Sequence, residues 1–296
     1  MEERLQKIIS NAGAASRRAA EALIRAGRVT VDGLPVTALG GKYDAALHEI
    51  AVDGTPIRRN ERRFYILLHK PRGCLSTAYD DRGRRTVLDL LPHFPARLYP
   101  VGRLDADTEG LLIITNDGAM TQGLLHPRFE IDKVYRAEVT GSVTEDGLTA
   151  LRNGILLDDG RTAPARLRVL HREGERTVVE TIIHEGRKRQ VRRMFAAIGC
   201  RVQRLCRVRF AMLTLDGVSC GSFRHLTSDE IHELKKIAGV MHSGEDPRRR
   251  RGSCGNDGGR CGGGTRGQCD PARKDAARRA QDDDHGKGAL QRHKRR

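Results

Sequence analysis

The sequence predicts an α+β protein: a small helix-and-strand unit, then a larger domain on a mixed, mostly antiparallel sheet, then a disordered basic tail. Three observations predict it. Apolar residues recur at helical spacing early in the chain, and short alternating segments closed by Asp-Gly pairs follow. Between residues 62 and 240, strand-like stretches outnumber helical ones and alternate with them irregularly, which suits α+β. From residue 241 the aliphatic content collapses. A chain of 296 residues also prefers two cores to one, and the predicted divisions are 1–60, 62–240 and 241–296.

In the first unit, Leu5, Ile8, Ile9 and Ala12 share one helical face, and Asn11 to Gly13 ends that helix. Ser16 is a good N-cap for a second helix, with Ala19, Ala22, Leu23 and Ala26 inward and Gly27 as its stop. Val29 and Val31 alternate ahead of Asp32-Gly33, and Ile50 and Val52 ahead of Asp53-Gly54, both hairpin-type turn signals. Arg17 and Arg18 occupy the first turn of the second helix, where cations oppose the helix dipole unless something else gains from them. Phosphate contact would supply that gain; a solvated charged helix end is the alternative.

In the larger domain the strand candidates are Phe64–Leu68, Leu111–Thr115, Val134–Val139, Ala165–Leu170, Thr177–Ile183 and Leu205–Leu215, rich in β-branched and alternating residues. Helices are expected around Thr144–Asn153, Arg187–Ile198 and Ser228–Ala238, the last with Thr227 and Glu230 in capping-box register. The tail, 241–296, has Met241 and Leu290 as its sizeable aliphatic residues, eleven glycines and a net charge of +7. Such a segment cannot bury enough apolar surface to offset the entropy of ordering. It reads either as a sequence-tolerant RNA-binding arm or as a solvated tail with little role.

Aromatics make up only 4% and Trp is absent, so packing must rest on Leu, Ile, Val and Ala. An excess of 54 Lys and Arg over 38 Asp and Glu, net +16, is the balance of a protein that meets a polyanion, with nucleic acid foremost. The apolar stretches fall far short of the ~20 residues of a membrane-spanning helix. The start, Met1-Glu2-Glu3-Arg4, lacks a signal-peptide core, so the cytoplasm is expected. The seven cysteines form no Cys-x-x-Cys pair and read as reduced thiols, with neither a disulfide framework nor a zinc site.

Two segments could carry chemistry. Tyr99 to Gly110 holds acids, an arginine and two glycines and runs into the apolar strand 111–115, the kind of loop on which a rigid scaffold presents functional groups. Its carboxylates Asp105 and Asp107 have four readings: cation chelation, an acid/base pair, a single nucleophile or base, or turn capping and solvation. In the second segment, His184 to Phe195, helical spacing puts Val191, Met194, Phe195 and Ile198 on an apolar face. Arg189 and Arg193 then lie opposite, and Arg192 lies on the border. A border arginine that turns inward needs a carboxylate partner.

Residues 3–50, with Ser16-Arg17-Arg18-Ala19-Ala20-Glu21-Ala22-Leu23-Ile24 and Gly27-Arg28-Val29-Thr30-Val31-Asp32-Gly33, resemble the S4 RNA-binding domain. Four further motifs are His69-Lys70-Pro71-Arg72-Gly73, Gly102-Arg103-Leu104-Asp105-Ala106-Asp107-Thr108-Glu109-Gly110-Leu111-Leu112, Lys133-Val134-Tyr135, and Glu185-Gly186-Arg187 through Met194-Phe195. In that order behind an S4-like unit, they resemble the RsuA/RluB group of pseudouridine synthases over nearly all of residues 1–240.

The resemblance implies isomerisation of uridine in RNA to its C-glycoside without cofactor or metal. It makes Asp105 the essential carboxylate, Tyr135 the ring stacked on the flipped uracil, Arg192 the cation paired with Asp105, and Leu213 an apolar pocket wall. RNA contacts are implied for Arg17, Arg18, Arg28, Lys70, Arg103, Arg189 and Arg193. His69 stands where the group often has Asn and is given no role; Asp107 and Glu109 are expected to cap the turn. The implied partner is ribosomal RNA or a ribosome assembly intermediate, met by a monomer. Asp81-Arg82-Gly83-Arg84-Arg85-Thr86-Val87-Leu88-Asp89-Leu90-Leu91-Pro92 and the basic tail favour the large-subunit branch. The alternatives are a catalytically idle S4-type RNA-binding or ribosome-assembly protein, which would have no reason to keep Asp105, Tyr135 and Arg192 together, and a metal-dependent nuclease.

Overall fold

The computed structural model describes residues 2–58 and 62–240. The expected tail, 241–296, lies outside the described residues, as do Cys254, Cys261 and Cys269. Among the described residues Cys74, Cys200, Cys206 and Cys220 are free thiols, and no helix is long and apolar enough to cross a membrane.

The N-terminal unit pairs helices α1 (Leu5–Asn11) and α2 (Arg17–Arg25) against strands β1 (Val29–Val31) and β2 (Ile50–Val52). Ser16 caps α2 by accepting from the Ala19 amide at 3.1 Å. Strands β1 and β2 run antiparallel, Val29 opposite Val52. Each turns back at its Asp-Gly pair: Asp32 and Asp53 sit at φ +51° with Gly33 and Gly54 also positive, the paired left-handed geometry of a two-residue hairpin. Leu5, Ile8, Ile9, Ala20, Ile24, Val29, Val31 and Ile50 form its core. The inner face of α2 differs from the expected one: Ala20 and Ile24 are buried, while Ala19, Ala22 and Ala26 are exposed. Burying Ile24 removes far more apolar area from water than burying an alanine does, and it sets the rotation of the helix.

The larger domain is built from β3 (Tyr65–Lys70), β4 (Glu109–Thr115), α3 (Gly118–Leu125), β5 (Lys133–Thr140), α4 (Glu145–Arg152), β6 (Arg166–Glu173), β7 (Arg176–Ile183), α5 (Gln190–Ala197), β8 (Arg201–Phe210), β9 (Phe223–His225) and α6 (Ser228–Ile237). The sheet order is β6-β7-β5-β8-β4-β3-β9, with Leu213–Thr214 added to β8 and Tyr99–Pro100 to β4. Neighbours are antiparallel except β8 and β4, which run parallel. One face carries Ile66, Leu68, Leu112 and Ile114 against Leu148 and Leu151 of α4 and Met194 and Phe195 of α5. The other carries Tyr65, Leu67, Leu111 and Ile113 against Met120 and Leu124 of α3 and Leu234 of α6. Strand β4 is buried along its whole length because both faces are covered, which accounts for its unbroken Leu-Leu-Ile-Ile run. The capping box at the start of α6 forms, with Glu230 N to Thr227 Oγ1 at 3.2 Å and Thr227 N to the Glu230 carboxylate at 2.8 Å.

The expected strand over 205–215 is instead a hairpin. β8 stops at Phe210, Ala211 adopts φ +51°, and Leu213 folds back opposite Phe210. The parallel junction depends on Gly110, whose φ is +120° and whose missing Cβ leaves room for the backbone N and O of Arg207. Gly110→Ala should therefore cost about 3 kcal/mol or more by strain and steric conflict together, read as a drop in the midpoint of urea unfolding. An unchanged midpoint would show that the junction can part without penalty.

Candidate active site

The loop before β4 is anchored through its backbone. Lys70, at the end of β3, is wholly buried, and its ammonium donates to the carbonyls of Pro71 at 3.0 Å, Asp105 at 3.1 Å and Thr108 at 2.8 Å. Ser76 Oγ accepts from Leu104 N at 3.1 Å and donates to Leu104 O at 2.8 Å. Gly73 N donates to Ala106 O at 2.7 Å, and Thr108 N to Asp105 O at 3.0 Å. Main-chain polar groups on both sides of Asp105 are thus satisfied by fixed partners, so its carboxylate is free for other work. That carboxylate is about one-third exposed and stands 3.9 Å from the Arg189 guanidinium.

Arginines from the start of α5 complete the loop's surroundings. Arg189 grips Asp107 with both terminal nitrogens, at 3.3 and 3.0 Å, and reaches Asp105 with one of them. It does so from φ +52°, a left-handed conformation costing a bulky residue roughly 1 kcal/mol. This is why α5 begins at Gln190 and not at the expected Arg187. The residues between fold on Glu185, which accepts from Ala163 N, Arg187 Nε and Gln190 Nε2. Arg192 is mostly buried; it donates to Asp107 O and Val202 O, each at 3.0 Å, and lies 3.3 Å from the Asp107 carboxylate. Burial pulls the Arg192 pKa down, opposed by the Asp107 charge. Burial also works against ionised Asp107, but the Arg189 hydrogen bond and the Arg192 charge outweigh it and hold that carboxyl below its ordinary value.

Asp105 opens into a cleft of about 630 Å³ whose walls include Tyr135, Leu205, Val191, Ile183 and Phe210. Tyr135 lies on β5 directly opposite Arg207 on β8, just past a register shift that gives β8 an extra residue. That bulge keeps Leu205, Arg207 and Phe210 all on the cleft wall. Lys133 is a further cation there: its ammonium donates to the carbonyls of Ile131 and His184. Burial, reinforced by the Arg207 charge, brings its pKa down to about 8.

Several sequence expectations change on this geometry. The pair expected between Arg192 and Asp105 does not form: Arg192 holds Asp107, and Arg189 is the guanidinium beside Asp105. Lys70, expected to contact RNA, is inaccessible because its ammonium is consumed by three carbonyls beneath the loop. Leu213, expected as a pocket wall, packs in the core over α3 and α6, and Leu205 supplies the apolar wall. Glu109 does not cap the turn; it is a buried strand residue paired with Arg204 at 2.5 Å, and Asp107 binds arginines. Arg193 pairs with Asp158 and Asp159, and Arg28 with Asp53. Arg17, Arg18 and Arg103 are exposed, Arg103 at the cleft itself. His69 turns a ring nitrogen to Val218 O at 2.9 Å. Lys133, Leu205 and Arg207 were given no site role from the sequence, Lys133 entering only within a motif; the signal for Arg207 was an arginine in phase with the inward residues of an alternating strand.

A mixed sheet that presents an anchored carboxylate in a cation-lined cleft, behind a small basic module, defines an enzyme that handles RNA. Comparison with known proteins agrees. Residues 64–197 match the family model described as RNA pseudouridylate synthase, and residues 3–41 match that of the S4 domain. The chain is 48% identical over 238 residues to the ribosomal large subunit pseudouridine synthase B of Bacillus subtilis, covering 80% of this chain and 97% of that protein. It is 42% identical to an uncharacterised RNA pseudouridine synthase of Aquifex aeolicus, covering 85% of this chain and all of that one. A pseudouridylate synthase crystal structure aligns with a TM-score of 0.58 at 32% identity over 78% of this chain and 99% of its own. The chain belongs to the RNA pseudouridine synthase family.

Proposed function

We propose that this enzyme converts uridine to pseudouridine in ribosomal RNA of the large subunit, with Asp105 as the reacting carboxylate. The observation that carries the proposal is the Asp105 carboxylate itself: backbone-clamped on both sides, open to the cleft, and faced by the Arg189 guanidinium at 3.9 Å. The large-subunit target is supported by the 48% identity to the Bacillus subtilis protein of that name.

Uracil inside a helix hides the atoms that react, so the nucleotide must be everted at a cost of a few kcal/mol. Exposed Arg103 at the cleft mouth takes the backbone of the everted nucleotide, and the Tyr135 ring on the cleft wall offers a stacking face. Asp105 then acts at the sugar, as nucleophile or as base toward a ribose proton, with the Arg189 guanidinium facing it at 3.9 Å. Arg192 serves as the positioning residue that locks Asp107 and hence the loop. Substrate and product are isomers, so the reaction has no call for a redox partner. Residues 1–60 serve as the RNA-docking module through Arg17 and Arg18, residues 62–240 as the catalytic domain of a monomer, and the basic tail as an added electrostatic contact.

Mapping pseudouridines in total RNA from cells with and without this protein tests the proposal. At least one large-subunit position should lose its modification, and an unchanged large-subunit map would refute the target.

A further inference from the structure

Among the described residues Arg207 is the least explained charge. Its residue is 3% exposed, and its Nε donates to Leu111 O at 2.8 Å, which ties β8 to β4. That bond uses one of five guanidinium donors. One terminal nitrogen is fully buried with no hydrogen-bond partner, and no carboxylate lies within ion-pair distance among the described residues. The guanidinium carbon stands 5.3 Å from the Phe210 ring centroid, and the Lys133 ammonium is 5.9 Å from the same centroid. A buried cation and a half-buried one therefore share one wall of the cleft that Asp105 and Tyr135 line, and neither has a protein anion bound to it. By contrast mostly buried Arg192 is matched with Asp107, and half-buried Arg187, Arg193 and Arg224 are matched with Glu185, Asp159 and Glu230. An unpaired buried guanidinium is costly, and persists where a ligand supplies the missing acceptors.

The proposed reaction supplies them. When the N1–C1′ bond breaks, its electron pair stays on the uracil, spread over N1 and the carbonyl oxygens. C5 then bonds to C1′, C5 gives up its proton, and N1 takes one. We propose that Arg207 is a substrate-contacting residue whose free guanidinium nitrogens bind the carbonyl edge of the everted uracil and stabilise the negative charge it carries after the glycosidic bond breaks. Tyr135, directly across the strand pair, would cover the ring face while Arg207 holds the edge. Donors fixed in a low-dielectric cleft act more strongly on charge that develops during reaction than on the neutral ground state. This inference rests on the pseudouridine reading of the cleft.

The test uses the full-length enzyme and an in vitro transcript of large-subunit rRNA, with Arg207→Gln and Arg207→Lys beside wild type. Single-turnover pseudouridine formation at saturating enzyme should fall by about 10²–10³-fold for Gln and less for Lys, which keeps the charge. RNA affinity and its salt dependence should stay at wild-type values. A weaker affinity with a salt slope shallower by about 0.7–0.9 and an unchanged saturated rate would overturn the inference and make Arg207 a phosphate contact. Wild-type rates in both variants would make it a purely structural tie. If the Gln variant melts out, the Lys variant decides: a loss above tenfold with unchanged affinity supports the inference, and a wild-type rate refutes it. A wild-type enzyme inactive on the transcript would overturn the ribosomal reading first and this inference with it; loss confined to the variants tests Arg207 alone.

Discussion

Replacing Asp105 with Asn is expected to leave the fold and the RNA affinity unchanged while pseudouridine formation falls by at least ~10⁴-fold. The substitution keeps size and shape and removes only the charge and the basic lone pair. What holds the loop is main chain: Asp105 O is bonded by Lys70 and by the Thr108 amide, and both bonds survive the change. Among the described residues the side chain's one ion-pair partner is Arg189 at 3.9 Å, and Arg189 keeps its two-pronged grip on Asp107 without it. The loss should therefore lie in the chemical step, not in binding. A mobility-shift titration with a single-turnover assay on one preparation separates the two. Turnover within tenfold of wild type would remove Asp105 from the reaction.

Much of this arrangement was legible in the sequence, and the failures have definite physical causes. Six of the seven strands β3–β9 declared themselves through alternation or unbroken aliphatic runs, since a sheet covered on both faces leaves little freedom in what its strands contain; the short β9 did not. The Asp-Gly turns of the small unit were legible because few residues accept φ near +50° twice in succession. Helix α3 was not among the helices expected from the sequence, where Gly118 and Gly123 weaken any helical signal. Gly123 is there to let α3 approach the backbone of Ala238 just past α6, a tertiary demand invisible to local propensity. Its cap was readable in retrospect: Asp117 accepts from Ala119 N and Met120 N, both at 3.1 Å.

At the site, the motif identified the loop but not the partners within it. Asp105 and Asp107 are two residues apart, and spacing could not say which one α5 grips. That depends on Arg189 leaving the helical conformation, a choice paid in backbone strain and set by contacts across the fold. Lys70 was expected at the RNA only through the resemblance that its motif carries. Only the closing of the Asp105 loop over the end of β3 puts it inside. Leu205 and Leu213 are alike in sequence, and the bulge in β8 and the turn at Ala211 decide which of them faces the cleft.

Arg192→Ala is expected to lower activity by about 10²-fold and stability by about 1–3 kcal/mol, and to do so through Asp107. Arg192 is the one side chain that joins α5 to the Asp107 carbonyl, the Asp107 carboxylate and the Val202 carbonyl of β8 at once. Truncating it strands two carbonyls in a mostly buried position and leaves the loop tied to α5 by Arg189 alone. Asp107→Asn keeps both backbone acceptors of Arg192 but removes the charge that Arg189 grips and Arg192 faces, and so should reproduce most of the loss. Because the two residues act as one unit, the double variant should fall well short of the product of the separate losses. Single-turnover rates for the four proteins give the coupling directly. If Asp107→Asn is nearly wild type while Arg192→Ala is severely impaired, or if the losses multiply, Arg192 acts on Asp105 or on the RNA itself, and the two aspartates would have to be assigned their guanidinium partners the other way round.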